Sequence, residues 1–192
     1  MYAISKSMDG GQSWNAVNTT VPAVQSLVFS PSHAMFAGTS AGVFKSTDAG
    51  VNFAPAGSAN TIVSLLAIDP VHPGVLYAAT FSGLYKSVDS GASWSPINQG
   101  LDQIAAHASV NVLLVDPARA DVLYLAASGY GVFRSTEGGA NWAAFNDGLT
   151  FLDVRSLALS QRDPAAPRGR RSGVRGPNTL YAGTLGGVFK IQ

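Results

Sequence analysis

The chain has 192 residues, among them 21 Gly, 10 Pro and no Cys, with a formal net charge of +1 and only 12% charged residues. This is too apolar for a disordered chain, and the missing Cys excludes a disulfide framework, thiolate metal ligands and a cysteine nucleophile. No apolar run approaches the ~20 residues of a membrane span, and the net charge is too small to select nucleic acid or a membrane surface.

Met1–Lys6 has no basic stretch followed by an apolar one, so no signal peptide is read there. Ser7-Met8-Asp9-Gly10-Gly11-Gln12-Ser13-Trp14 comes next, and it recurs. Its copies are Ser46-Thr47-Asp48-Ala49-Gly50-Val51-Asn52-Phe53, Ser87-Val88-Asp89-Ser90-Gly91-Ala92-Ser93-Trp94 and Ser135-Thr136-Glu137-Gly138-Gly139-Ala140-Asn141-Trp142. The acidic positions lie 39, 41 and 48 residues apart. That period suits four short strands per unit, as in the blades of a propeller.

The flanks repeat as well. A first apolar run, the A strand of each unit, is Val24–Phe29, then Ile62–Ile68, Val110–Val115 and Val154–Leu159. A B–C pair follows each one: Met35–Thr39 with Gly42–Lys45, Leu76–Thr80 with Gly83–Lys86, Leu123–Ala127 with Gly131–Arg134, and Leu180–Thr184 with Gly187–Lys190. The D strand begins at the Trp. Asp69-Pro70 and Asp116-Pro117 end two A strands in turns. Short strands rich in Val, Tyr, Phe and Leu and split by Gly turns predict an all-β protein. Four-stranded antiparallel sheets repeated radially are a β-propeller. The units run approximately 1–18, 24–57, 61–98, 108–146 and 153–192, in a single domain. They amount to about four blades. Joining the ends would make one composite blade, but both ends offer a C strand. A piece of a larger ring, or two chains meeting at open blade edges, are the alternatives.

The Ser-x-Asp-x-Gly-x-x-Trp motif resembles the Asp-box, or BNR repeat. Its surroundings resemble Asp-box propellers such as sortilin-type receptors, photosystem II assembly factors and xyloglucan-cleaving glycosidases. The resemblance covers nearly the whole chain and implies the fold more specifically than any activity. Physically, the motif reads as a C–D turn. Asp9, Asp48 and Asp89 accept from turn N–H groups, and Ser7, Ser46, Ser87 and Ser135 add a local bond. Gly11, Gly50, Gly91 and Gly139 supply φ > 0, and Trp14, Trp94 and Trp142 bury a ring. Phe53 and Glu137 depart from the pattern, and the longer Glu137 side chain predicts a looser turn. A catalytic group is needed once, whereas a fold device recurs in every unit.

The B–C and D–A loops lie at the other end of each sheet, which the resemblance marks as the ligand face. Phe81, Tyr130 and His107 are the binding candidates there, for a protein or carbohydrate ligand. Asp102, Asp147 and Asp153 are the only catalytic candidates, since a glycosidase needs two carboxylates. A non-enzymatic binding scaffold is the favoured reading, and a xyloglucanase-like glycoside hydrolase, or a fragment of one, is the rival. No cofactor is expected. No metal site is expected either, because His33, His72 and His107 fall in different units without metal-ligand spacing. Residues 162–178 form a basic insertion whose Arg168, Arg170, Arg171 and Arg175 are candidates for a polyanion patch; no nucleic-acid partner is expected. The insertion carries +4 and leaves −3 for the rest. Family resemblance implies an extracytoplasmic setting.

Overall fold

The computed structural model describes residues 4–18, 20–57, 61–102, 104, 109–160 and 179–191. The strands are β1 (Ile4–Lys6), β2 (Asn15–Asn18), β3 (Val24–Phe29), β4 (Met35–Thr39), β5 (Gly42–Ser46), β6 (Ala54–Pro55), β7 (Val63–Ile68), β8 (Leu76–Thr80) and β9 (Gly83–Ser87). They continue as β10 (Ser95–Pro96), β11 (Val110–Asp116), β12 (Arg119–Ala127), β13 (Gly131–Ser135), β14 (Ala143–Ala144), β15 (Val154–Ser160), β16 (Thr179–Thr184) and β17 (Gly187–Ile191). There is no helix among the described residues.

Each sheet is an antiparallel meander of consecutive strands. Three are complete: β3–β6, β7–β10 and β11–β14. An N-terminal pair, β1–β2, precedes them, and a three-stranded sheet, β15–β17, follows. No ladder joins the pair to the last sheet among the described residues. The composite sheet that joining the ends would make is therefore not formed among the described residues. The D strands of the three complete sheets shrink to two residues each. Pro55 and Pro96, which have no N–H to donate, sit in two of these outer strands, the position a sheet tolerates.

Side-chain alternation turns each sheet into a two-faced slab. On β8, Tyr77 and Ala79 face the next sheet while Leu76 and Ala78 face the previous one. The three apolar layers follow this division. Phe36, Val43 and Ala56 meet Val63, Leu66 and Leu76 between the first two complete sheets. Tyr77 and Leu84 meet Leu113, Val115 and Leu123 in the next layer. Tyr124, Ala126 and Val132 meet Val154, Leu180 and Ala182 in the last.

Asparagines fix where the C strands begin. Asn98 Oδ1 accepts the Leu84 N–H at 2.7 Å, and Asn146 Oδ1 accepts the Val132 N–H at 2.7 Å. The Gly before each strand, Gly83 and Gly131, has φ of +117° and +81°. A Cβ at either would collide with the Asn amide, so only Gly admits this clamp.

Candidate functional site

The repeated acidic turns are built from one set of bonds. Ser87 Oγ donates to Asp89 Oδ1 at 2.8 Å and accepts the Gly91 N–H at 2.8 Å. Asp89 accepts the Ser93 N–H at 2.8 Å and the Ser93 hydroxyl at 2.6 Å. The Asp9 turn matches it with Gly11 and Ser13, and the Asp48 turn with Gly50 and Asn52. Two successive residues adopt φ > 0 in each, such as Ser90 at +58° and Gly91 at +87°. The side-chain and backbone bonds from Ser93 and the Ser87 hydroxyl hold the Asp89 carboxyl at about 2. Backbone and side-chain bonds from Asn52 do the same for Asp48, also about 2. Ser13 lowers Asp9 further still. Glu137 differs. It accepts from the Asn141 amide at 2.6 Å, but among the described residues it takes neither the Ser135 hydroxyl nor the Asn141 N–H. Ser135 still accepts the Gly139 N–H at 3.0 Å.

Two motif tryptophans tie their sheets to the one before, whereas Trp14, expected to bury its ring, is exposed. Trp94 Nε1 donates to the Ala56 carbonyl at 3.2 Å, and Trp142 Nε1 donates to the Ile97 carbonyl at 2.9 Å. Phe53 has no such donor, and Asn18 Nδ2 bonds the Val51 carbonyl at 2.9 Å in that interval.

The other acidic turn residues are also engaged. Asp69 is buried, which alone would raise its carboxyl, but the N–H groups of His72 and Val71 and the His72 ring lower it on balance. Asp116 accepts from the Ala118 N–H and the Arg119 guanidinium.

At the B–C and D–A loops, the three catalytic candidates sit in different settings. Asp153 is held by Arg155 through bonds of 2.7 and 3.1 Å. Asp102 and Asp147 are exposed, and among the described residues neither bonds the other or Asp153. No cluster of three His, Asp or Glu able to hold a metal occurs among the described residues. Phe81 is exposed, whereas Tyr130 is half-buried against the second apolar layer. His107 and the four arginines 168, 170, 171 and 175 lie outside the described residues.

The connection after β10 is partly core. Leu101 and Ile104 are buried between the second and third complete sheets. Gly100, at φ +85°, lies so close to the Trp142 backbone that no Cβ fits. Exposed apolar side chains gather at the same end, on two loops remote in sequence. Phe151, Leu152 and Leu185 are exposed there. The Phe151 ring lies over Gly186 and 6.2 Å from Phe189, while the Leu152 carbonyl accepts the Gly131 N–H beside Tyr130. The one signal available was that Phe151-Leu152 is a loop dipeptide with no counterpart in the other units.

Consecutive four-stranded meanders packed face to face define a β-propeller architecture. Solved structures with this fold agree. A GH74 enzyme from Niastella koreensis matches 98% of this chain at 17% identity and TM-score 0.71. The GH74 xyloglucanase from Xanthomonas campestris matches 97% at 25% identity and TM-score 0.63. YCF48 bound to D1 peptide matches 98% at 16% identity and TM-score 0.67. The chain spans about a quarter of those two GH74 chains, 27% and 26%, and 57% of that YCF48 chain. An extracellular domain of a putative one component system from B. thetaiotaomicron also matches, at 13% identity, TM-score 0.69, 99% of this chain and 25% of that one. No family model and no curated protein matches the chain.

Proposed function

We propose that this chain is a non-enzymatic binding scaffold whose four acidic turns are Asp-boxes. Its ligand is a protein segment or glycan held at the B–C and D–A loop end, in an extracytoplasmic setting. The observation that carries this reading is the fate of the carboxylates. Those of the repeated motif are consumed by their own turns, and Asp153 is consumed by Arg155. The same end displays Phe81, Phe151 and Leu185, apolar groups with the character of a recognition surface. Peptide binding by YCF48 supports ligand recognition, and the extracellular placement of the one component system domain supports an extracytoplasmic setting.

Hydrolysis is the second reading, favoured by the GH74 neighbours. It needs two carboxylates about 5–9.5 Å apart across a substrate, and Asp102 with Asp147 are the candidates left. A combined glycan and peptide array, read beside a reducing-end assay on xyloglucan, separates the readings. Ligand capture that depends on Phe151 and Leu185 supports the scaffold, and turnover that depends on Asp102 and Asp147 supports the enzyme.

A further inference from the structure

Matched positions in successive sheets differ sharply in exposure at the two ends of the array. Val43, Leu84 and Val132 point into the next sheet and are 1%, 2% and 0% exposed, whereas their counterpart Val188 is 76% exposed. Phe36, Tyr77 and Tyr124 are buried at the same face, and their counterpart Tyr181 is 36% exposed. The opposite face repeats the pattern. Leu66 and Leu113 are buried against the preceding sheet, whereas Leu27, which precedes them in the series, is 42% exposed. Phe29, matching Ile68 and Val115, is 60% exposed. The third such position is Trp14. Its equivalents Trp94 and Trp142 reach back to a carbonyl of the preceding sheet, but among the described residues Trp14 does not.

We propose that a second copy of this chain covers these groups, head to tail. Tyr181 and Val188 of each copy pack against Leu27 and Phe29 of the other, so that two chains close one eight-sheet ring. The argument is continuity with an interface the chain already makes three times. The last sheet carries the outgoing half of that interface and β3 carries the incoming half. The composite sheet takes β15, β16 and β17 from one copy and β2 from the other. β17 holds the C position because it pairs with β16 over five registers without a shift. β1 pairs with β2 over three, with an irregularity at Ile4/Ser5, and gives way. In that arrangement the Trp14 indole reaches the Phe145 carbonyl of the second copy, as Trp142 reaches Ile97. Heterologous contacts of this kind form rings when the rotation closes, and eight sheets lie within the range of about four to eight known for propellers.

The test is the mass of the full chain in solution, by sedimentation at micromolar concentration, for wild type, Val188→Asp and Leu27→Asp. Wild type is expected at twice 19.8 kDa, and each variant alone at the single-chain mass. Mixing the two variants is expected to restore a two-chain particle, because one of the two interfaces is then intact. Restoration also shows that both variants are folded. A wild type that stays at one chain, a pair that survives both substitutions, mixing without recovery, or growth into larger particles each overturns the proposal.

Discussion

The motif tryptophans offer a graded experiment, because one sequence position occupies three environments. Trp142 is 5% exposed and donates to the Ile97 carbonyl, Trp94 is half-buried and donates to Ala56, and Trp14 is 66% exposed. Truncating a buried Trp to Ala costs about 3–5 kcal/mol from lost transfer energy and the cavity left behind. An exposed substitution falls within about 0.5 kcal/mol. Trp142→Ala is therefore expected to lose about 3–5 kcal/mol, Trp94→Ala less, and Trp14→Ala almost nothing. Trp142→Phe keeps most of the ring but orphans the Ile97 carbonyl, for a loss of about 1–3 kcal/mol. The measurement is urea unfolding followed by circular dichroism, with every variant placed on Val188→Asp so that chains unfold singly. Equal losses at the three positions would refute the reasoning that burial against the preceding sheet, and not the motif itself, sets the contribution.

Two further outcomes concern the acidic turns. The folded carboxyls of Asp48 and Asp89 lie near 2, below the unfolded value of about 3.9. Their contribution is thus complete above about pH 4 and is lost as pH falls toward 2. Acid unfolding should steepen in that window, and Asp48→Asn with Asp89→Asn should flatten it; an unchanged pH profile would refute the assignment. Glu137→Asp should let the acid accept the Ser135 hydroxyl and the Asn141 N–H, raising the urea midpoint, and a lowered midpoint would contradict this.

Much of the architecture was legible because repetition writes it several times. The Ser-x-Asp-x-Gly turns and the B–C pairs declare themselves through Gly and Asp at fixed offsets, and those residues answer to local backbone needs. What sequence could not convey was position within the array. Trp14 and Trp142 read alike, yet one is exposed and the other buried, because burial depends on the sheet beyond it. The D strands of the complete sheets are also short, two residues each, with one further bond to the C strand from the Ala56, Ile97 and Phe145 N–H groups. The connection after β10 looked like free loop, but Leu101 and Ile104 enter the core. Phe151, Leu152 and Leu185 come from two loops remote in sequence, so their cluster could emerge only from the fold.

The scaffold reading is tested most directly at that cluster. The quantity to measure is the dissociation constant of the best array ligand for wild type, for Phe151→Ser with Leu185→Ser, and for Asp102→Asn with Asp147→Asn. Xyloglucan hydrolysis is assayed on the same samples. The account predicts binding weakened at least about tenfold, or roughly 1.4 kcal/mol, by the apolar pair of substitutions. It predicts binding little changed by the acidic pair, with no hydrolysis by any sample. Binding indifferent to Phe151 and Leu185, or hydrolysis by wild type that vanishes with Asp102→Asn and Asp147→Asn, would contradict it.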